Sequence, residues 1–168
     1  MFFDQLDIGH RYVLIVGSRL LAAGLTVRAP PSERRQRVED RHQWQQDVDL
    51  YVGRADPALP GTPLAIEVKS RGLQFTGPTD FPYPTVFVDT VSGWDARRPP
   101  PSAVVIVSQQ TGAMIVVRGA RRGAWRKILT FDRQRRIHDT WYAAPRHTLQ
   151  AFEEFLDELV GFLGYTRL

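Results

Sequence analysis

Two lysines occur in this chain of 168 residues, against twenty arginines, and one of the two sits in Ile66-Glu67-Val68-Lys69. A chain so poor in lysine uses arginine wherever a positive charge suffices. An ammonium kept at Lys69 therefore points to a task that a guanidinium performs badly. Lysine is a compact point charge, and arginine is a planar fork that stays charged. Composition alone expects a Glu two places before a Lys roughly 0.07 times in such a chain. The spacing also fits a surface strand with an i, i+2 ion pair, because alternate strand residues share a face. Upstream lies a second acidic stretch, Asp47-Val48-Asp49-Leu50.

On neighbouring strands Asp49 and Glu67 can stand side by side. Two carboxylates on one face repel each other and favour a divalent cation between them. Hard oxygen ligands suit Mg²⁺ or Mn²⁺, and the backbone carbonyl of Val68 is placed to add a third oxygen. Lys69 shares the Glu67 face and reaches a water and a phosphate. The chemistry implied is phosphodiester hydrolysis, in which a metal lowers the pKa of water and neutralises developing charge. Asp47 lies on the Asp49 face, either as a ligand for a second metal or as a solvated residue at the strand end.

The elements that must position these groups follow from periodicity. Residues 7–24 read as a helix with a broad stripe of Tyr12, Val13, Ile15, Val16, Leu20, Leu21 and Ala23, stopped by Gly24. Residues 25–29 form a short strand ended by Pro30-Pro31. Residues 44–53 alternate as a strand, with Val48, Leu50 and Val52 on one face. A turn over 56–63 leads to a strand over 64–70. Residues 85–91 are apolar and β-branched, and 103–108 with 113–118 form a hairpin across Gln109-Gln110-Thr111-Gly112. Residues 119–136 read as a basic stretch. Residues 145–163 form an amphipathic helix with Leu149, Phe152, Phe155, Leu156, Leu159 and Val160 inward. The fold class expected is α/β, a central mixed β-sheet flanked by helices, in one domain over 1–168.

Composition bounds the rest. Hydrophobic residues make up 43% of the chain, enough to bury a core. Cysteine is absent, which excludes disulfides, thiolate metal sites and cysteine nucleophiles. No apolar run approaches a membrane span, and Met1-Phe2-Phe3-Asp4 lacks a basic leader. The expectation is a soluble, cytoplasmic protein. A net charge of +4 permits a polyanionic partner without requiring one.

Asp49 followed by Ile66-Glu67-Val68-Lys69 resembles the core of the PD-(D/E)xK nuclease superfamily, which includes restriction enzymes and archaeal-type Holliday-junction resolvases. The resemblance covers residues 7 to about 118 and implies a restriction-endonuclease-like fold. It implies metal acids at Asp49 and Glu67 and a catalytic lysine at Lys69. Two positions depart from the pattern: Val48 stands where proline often precedes the acid, and the first helix carries no glutamate. His10 on that helix is a candidate replacement ligand, since neutral imidazole binds metals; a surface histidine is the other reading.

DNA is the expected partner, with branched DNA and a homodimer implied by the resolvase likeness. Candidate contacts are Arg34, Arg35 and Arg71, with Phe75, Phe81 and Tyr83 in a loop rich in glycine and proline that follows the Glu67 strand. The activity expected is a Mg²⁺-dependent DNA endonuclease. The alternatives are a non-catalytic nucleic-acid-binding module on the same fold, or a nuclease of linear duplex.

Overall fold

The structure is a computed structural model that describes residues 2–30, 48–53, 63–132 and 136–162, with side chains from residue 9 onward. Helix α1 (Phe2–Ala22) opens the fold. It stops where expected: Gly24 takes φ 87°, and the Leu25 N–H donates back to the Leu20 carbonyl. A glycine adopts that left-handed conformation without steric cost. The apolar stripe is narrower than predicted. Val16 and Leu20 are buried, whereas Leu21 is exposed.

Strands β1 (Thr26–Arg28), β2 (Leu50–Gly53), β3 (Leu64–Arg71), β5 (Ala103–Ser108), β6 (Met114–Arg118) and β9 (Gln150–Ala151) make a six-stranded sheet in the order β1-β2-β3-β5-β6-β9. The β3–β5 pair is parallel and the others are antiparallel, so the central sheet is mixed. The crossover from β3 to β5 carries β4 (Thr85–Thr90) and the short helix α2 (Val91–Ala96).

One face of this sheet packs on α1 and on α3 (Phe152–Phe162), burying Val16, Leu20, Leu50, Ile66, Val105 and Phe155. The C-terminal helix begins later than predicted, because residues 146–148 form a 3₁₀ turn and 150–151 pair as β9. Its inward positions hold: Phe152, Phe155, Leu156 and Leu159 are buried, and Glu153, Glu154, Asp157 and Glu158 face outward.

The other face is covered by an unforeseen layer. Residues 126–132 form β7 and residues 137–145 form β8. With β4 they make a second sheet in the order β4-β8-β7. Val104, Ile106, Ile115 and Val117 of the central sheet meet Val86, Val88, Tyr142 and Ala144 of this one, with Trp94 of α2 between them. The expected basic stretch over 119–136 is thus largely a 3₁₀ turn and a strand. No helix among the described residues is long and apolar enough to cross a membrane.

Candidate metal and phosphodiester site

Strands β2 and β3 pair with Leu50 opposite Ile66 and Tyr51 opposite Ala65. One step further, the same register sets Asp49 opposite Glu67. Leu50 and Ile66 point into the helix-covered core. By the two-residue strand period, Asp49 and Glu67 therefore project to the opposite face. Asp49 closes the end of the ladder: its Oδ2 accepts from the Val68 backbone N–H at 2.7 Å.

Lys69 lies on the Glu67 face as its spacing requires, with Nζ 3.3 Å from Glu67 Oε1. The same Nζ is 3.7 Å from Asp89 Oδ1. Arg97 completes a ring of charges. Its Nη2 donates to Glu67 Oε1 at 3.1 Å and its Nη1 to Asp89 Oδ2 at 2.7 Å. All four side chains are largely buried.

The sequence reading did not place Asp89 or Arg97 beside the acids, taking Arg97 with Arg98 only as a basic pair open to phosphates, and the reasons are local. The β4–β8 register shifts between Phe87 and Asp89. Val88 and Asp89 are consequently buried in succession, while Phe87 is exposed. A bulge re-aims the side chain that follows it, and strict alternation would have turned Asp89 outward. Arg97 stood in an Arg-Arg-Pro-Pro-Pro run that reads as a spacer. It is in fact the C-cap of α2, and that helix is anchored from three directions. Thr90 caps the start of α2, accepting from Gly93 N–H at 3.0 Å. Trp94 packs edge-on against Trp125 with ring centroids 4.9 Å apart. Asp95 binds Arg122 at 2.7 Å and the Tyr142 hydroxyl at 3.1 Å. Gly93 is required here, because a Cβ would lie 2.7 Å from Thr90 Oγ1.

The electrostatics set Asp49 apart. Burial, and next the charge of Glu67, push its carboxyl up to about 7. The Val68 N–H, Lys69 and Arg97 pull in the other direction and do not prevail. The sign of the stability effect follows. The ordinary carboxyl value is 3.8, so at lower pH both folded and unfolded chains hold the proton and there is no penalty. As pH rises from there to about 7, the unfolded chain has ionised while the folded one has not, and stability falls. Above that window the loss is constant. Asp49→Asn removes the charge and keeps an oxygen for the Val68 N–H. In chelator, its melting temperature should match wild type near pH 4, exceed it increasingly up to about pH 7, and keep a constant lead above that. Thermal unfolding of the two proteins across that range checks this; parallel curves would show that Asp49 is not perturbed.

Other predicted site residues are sorted by the fold. His10 is exposed on α1. Among the described residues no three His, Asp or Glu side chains are grouped to hold a metal ion, so His10 does not join Asp49 and Glu67. Asp47, Arg34 and Arg35 lie outside the described residues. Arg71 ends β3 on the Lys69 face; burial holds its guanidinium below the ordinary value, opposed by the charge of Asp89.

The aromatic loop is a correction. Phe75 and Phe81 are each 1% exposed and pack together, centroids 5.5 Å apart, in the core between the two sheets. They present no face to a nucleic-acid base. Their loop is built from inside: Asp80 accepts from the Thr76 and Gly77 N–H groups, and the carbonyls of Leu73 and Phe75 accept from Ser108 and Thr111 hydroxyls. The expectation of a contact surface fails because burying two phenyl rings outweighs the turn-forming composition around them. Tyr83 alone of the three is exposed. In the expected basic stretch, Arg122 pairs with Asp95 and Arg121 donates to the Thr148 carbonyl, while Arg126 and Lys127 stay exposed.

No family model matches the chain, and no curated protein matches it. Among solved structures it is similar to D212, a nuclease from a fusselovirus, with a TM-score of 0.44 and 15% identity, over 95% of this chain and 90% of that one. It is also similar to Hjc of Archaeoglobus fulgidus, a Holliday junction resolvase from an archaeal hyperthermophile, with a TM-score of 0.49 and 12% identity, over 89% of this chain and 95% of that one.

Proposed function

We propose that this chain is a metal-dependent DNA endonuclease acting on branched DNA. The observation that carries the reading is the set of Asp49 opposite Glu67 with Lys69 Nζ 3.3 Å from Glu67 Oε1. The donor set fits a hard divalent cation, Mg²⁺ or Mn²⁺. Burial, and next the charge of Glu67, raise the Asp49 carboxyl to about 7, so a cation beside the pair would relieve both costs. Among the described residues, Glu67 receives both its hydrogen bonds on Oε1 and Asp49 its one on Oδ2. An oxygen of each acid is thereby left for a ligand. The N–H and C=O of a strand residue point to the same side, so the Val68 carbonyl faces Asp49 as its N–H does. Asp49, Glu67 and the Val68 carbonyl would hold the ion.

When bound, such an ion supplies a water of lowered pKa and neutralises charge on the scissile phosphate. The chain's own contribution is positional. Lys69 is held by Glu67 and Asp89, so its ammonium can donate to a phosphate oxygen or to the attacking water without first being ordered. Hydrolysis then forms one P–O bond from water and breaks the P–O bond to the leaving sugar, whose oxygen takes a proton. Exposed Arg126 and Lys127 are available for the phosphate backbone. A homodimer suits a two-fold junction, and sedimentation tests it.

The deciding experiment is cleavage of a four-way junction, a flap, a linear duplex and a single strand, each with Mg²⁺, Mn²⁺ or chelator. Metal-dependent cleavage, fastest on the junction, is expected. Equal rates on junction and duplex would remove the branched-DNA assignment and keep the nuclease. Binding with no cleavage on any substrate would leave a non-catalytic nucleic-acid-binding module.

A further inference from the structure

Arg97 is a second cation in the acidic cluster, and it belongs to the chain. Its guanidinium spans Glu67 Oε1 at 3.1 Å and Asp89 Oδ2 at 2.7 Å, so the fork fills the space between the two carboxylates. We propose that Arg97 supplies as a fixed charge what a second metal ion supplies in two-metal phosphodiesterases, so that this site works with one divalent cation. The inference rests on the nuclease reading above and goes beyond it.

Three observations carry it. First, the charges: Asp49, Glu67 and Asp89 are opposed by Lys69 and Arg97, with Arg71 also within reach of the Asp89 charge, so a single dication already leaves the site positive. A second dication would make the site strongly positive before any phosphate arrived. Second, the placement: two-metal sites hold their ions about 3.5–4 Å apart with carboxylates bridging them. Here the oxygens that would serve a second ion, Glu67 Oε1 and the Asp89 carboxylate, are taken by Arg97 and Lys69. Third, the permanence: Arg97 is not a surface arginine that has folded inward. It is 9% exposed and caps α2, which Trp94, Asp95 and the Thr90 cap fasten to the second sheet. A guanidinium stays charged when buried and matches two carboxylates with a planar fork, which an ammonium does not.

The test counts ions. Chelator-stripped full-length protein is titrated with Mn²⁺ by calorimetry, and single-turnover cleavage is followed against Mn²⁺ concentration. Wild type should bind one Mn²⁺ per chain and show a hyperbolic dependence. Arg97→Ala should cleave on the order of a hundredfold more slowly, and its rate should climb with a steeper, two-ion dependence as Mn²⁺ enters beside Asp89. A purely structural role for Arg97 would slow cleavage without changing the order in metal. Arg97→Ala/Asp89→Asn removes the Asp89 charge that loses Arg97 and leaves Glu67 its Lys69 partner, so it should fold even if the single variant does not. It should be slow and bind one ion, because the second ion's acid is gone. Two ions in wild type, an unchanged metal order in folded Arg97→Ala, or a wild-type rate in the double variant would each overturn the proposal. No Mn²⁺ bound to wild type would overturn the cation site itself, which is a different failure from a count of two.

Discussion

Glu67→Gln, Lys69→Ala and Asp49→Asn should each lower single-turnover DNA cleavage on the order of a hundredfold or more. The three groups have separate tasks in the proposed reaction. Asp49 and Glu67 face each other across the end of the β2–β3 ladder, and Lys69 is tethered between Glu67 and Asp89. Lys69→Arg should fail as well. The Lys69 side chain is 17% exposed, and a guanidinium is larger and flat where a small point charge must meet both a water and a phosphate. Asp49→Asn is the most informative of the set. It should be more stable than wild type above pH 7 in chelator and yet inactive, a combination that damage to the fold cannot produce. All variants cleaving within about threefold of wild type would remove the assignment of the site.

The legible part of the site was the part contained in short, regular strands. Asp49, Glu67 and Lys69 could be placed together because the strand period and a hairpin register determine which side chains share a face. Asp89 and Arg97 complete the same cluster and could not be placed so. Asp89 depends on a bulge that buries two consecutive residues, and periodicity has no means of announcing a bulge. Arg97 depends on where a six-residue helix ends, and its neighbours argue for an irregular linker. The central sheet was legible in outline for the same reason as the acids: Val104, Ile106, Ile115 and Val117 lie in plain apolar runs. The second sheet was not. Arg126, Lys127 and the arginines that follow masked the strand character of Ile128, Leu129, Thr130 and Phe131. That strand is largely exposed, so its residues were not selected for a continuous apolar face. Its place comes from pairing with β8, a tertiary fact rather than a local one.

The loop over 71–84 yields the second large effect, on stability rather than on rate. Phe75→Ala or Phe81→Ala should each cost about 3–5 kcal/mol, as removal of a fully buried ring does. Together they should approach the whole stability of a typical domain, about 5–15 kcal/mol. The reason lies in what the rings support. They sit against Val86, Val88, Ile106 and Ile115, so they hold the second sheet onto the central one. They also set the path of the loop whose carbonyls accept from Ser108 and Thr111. Losing them should loosen β4, and with it Asp89, so cleavage would fall as a consequence of unfolding. Tyr83 offers the contrast. It is 53% exposed and touches Phe81 only edge-on at 6.3 Å. Tyr83→Ala should change stability by less than about 1 kcal/mol, and weaken DNA binding by about 1–3 kcal/mol where a base stacks on the ring. Urea unfolding of the three variants, with binding measured at one fixed salt concentration, separates the roles. A Phe75/Phe81 double alanine variant as stable as wild type would contradict the packing of the two sheets, whereas a large loss of stability in Tyr83→Ala would place that ring in the core with them.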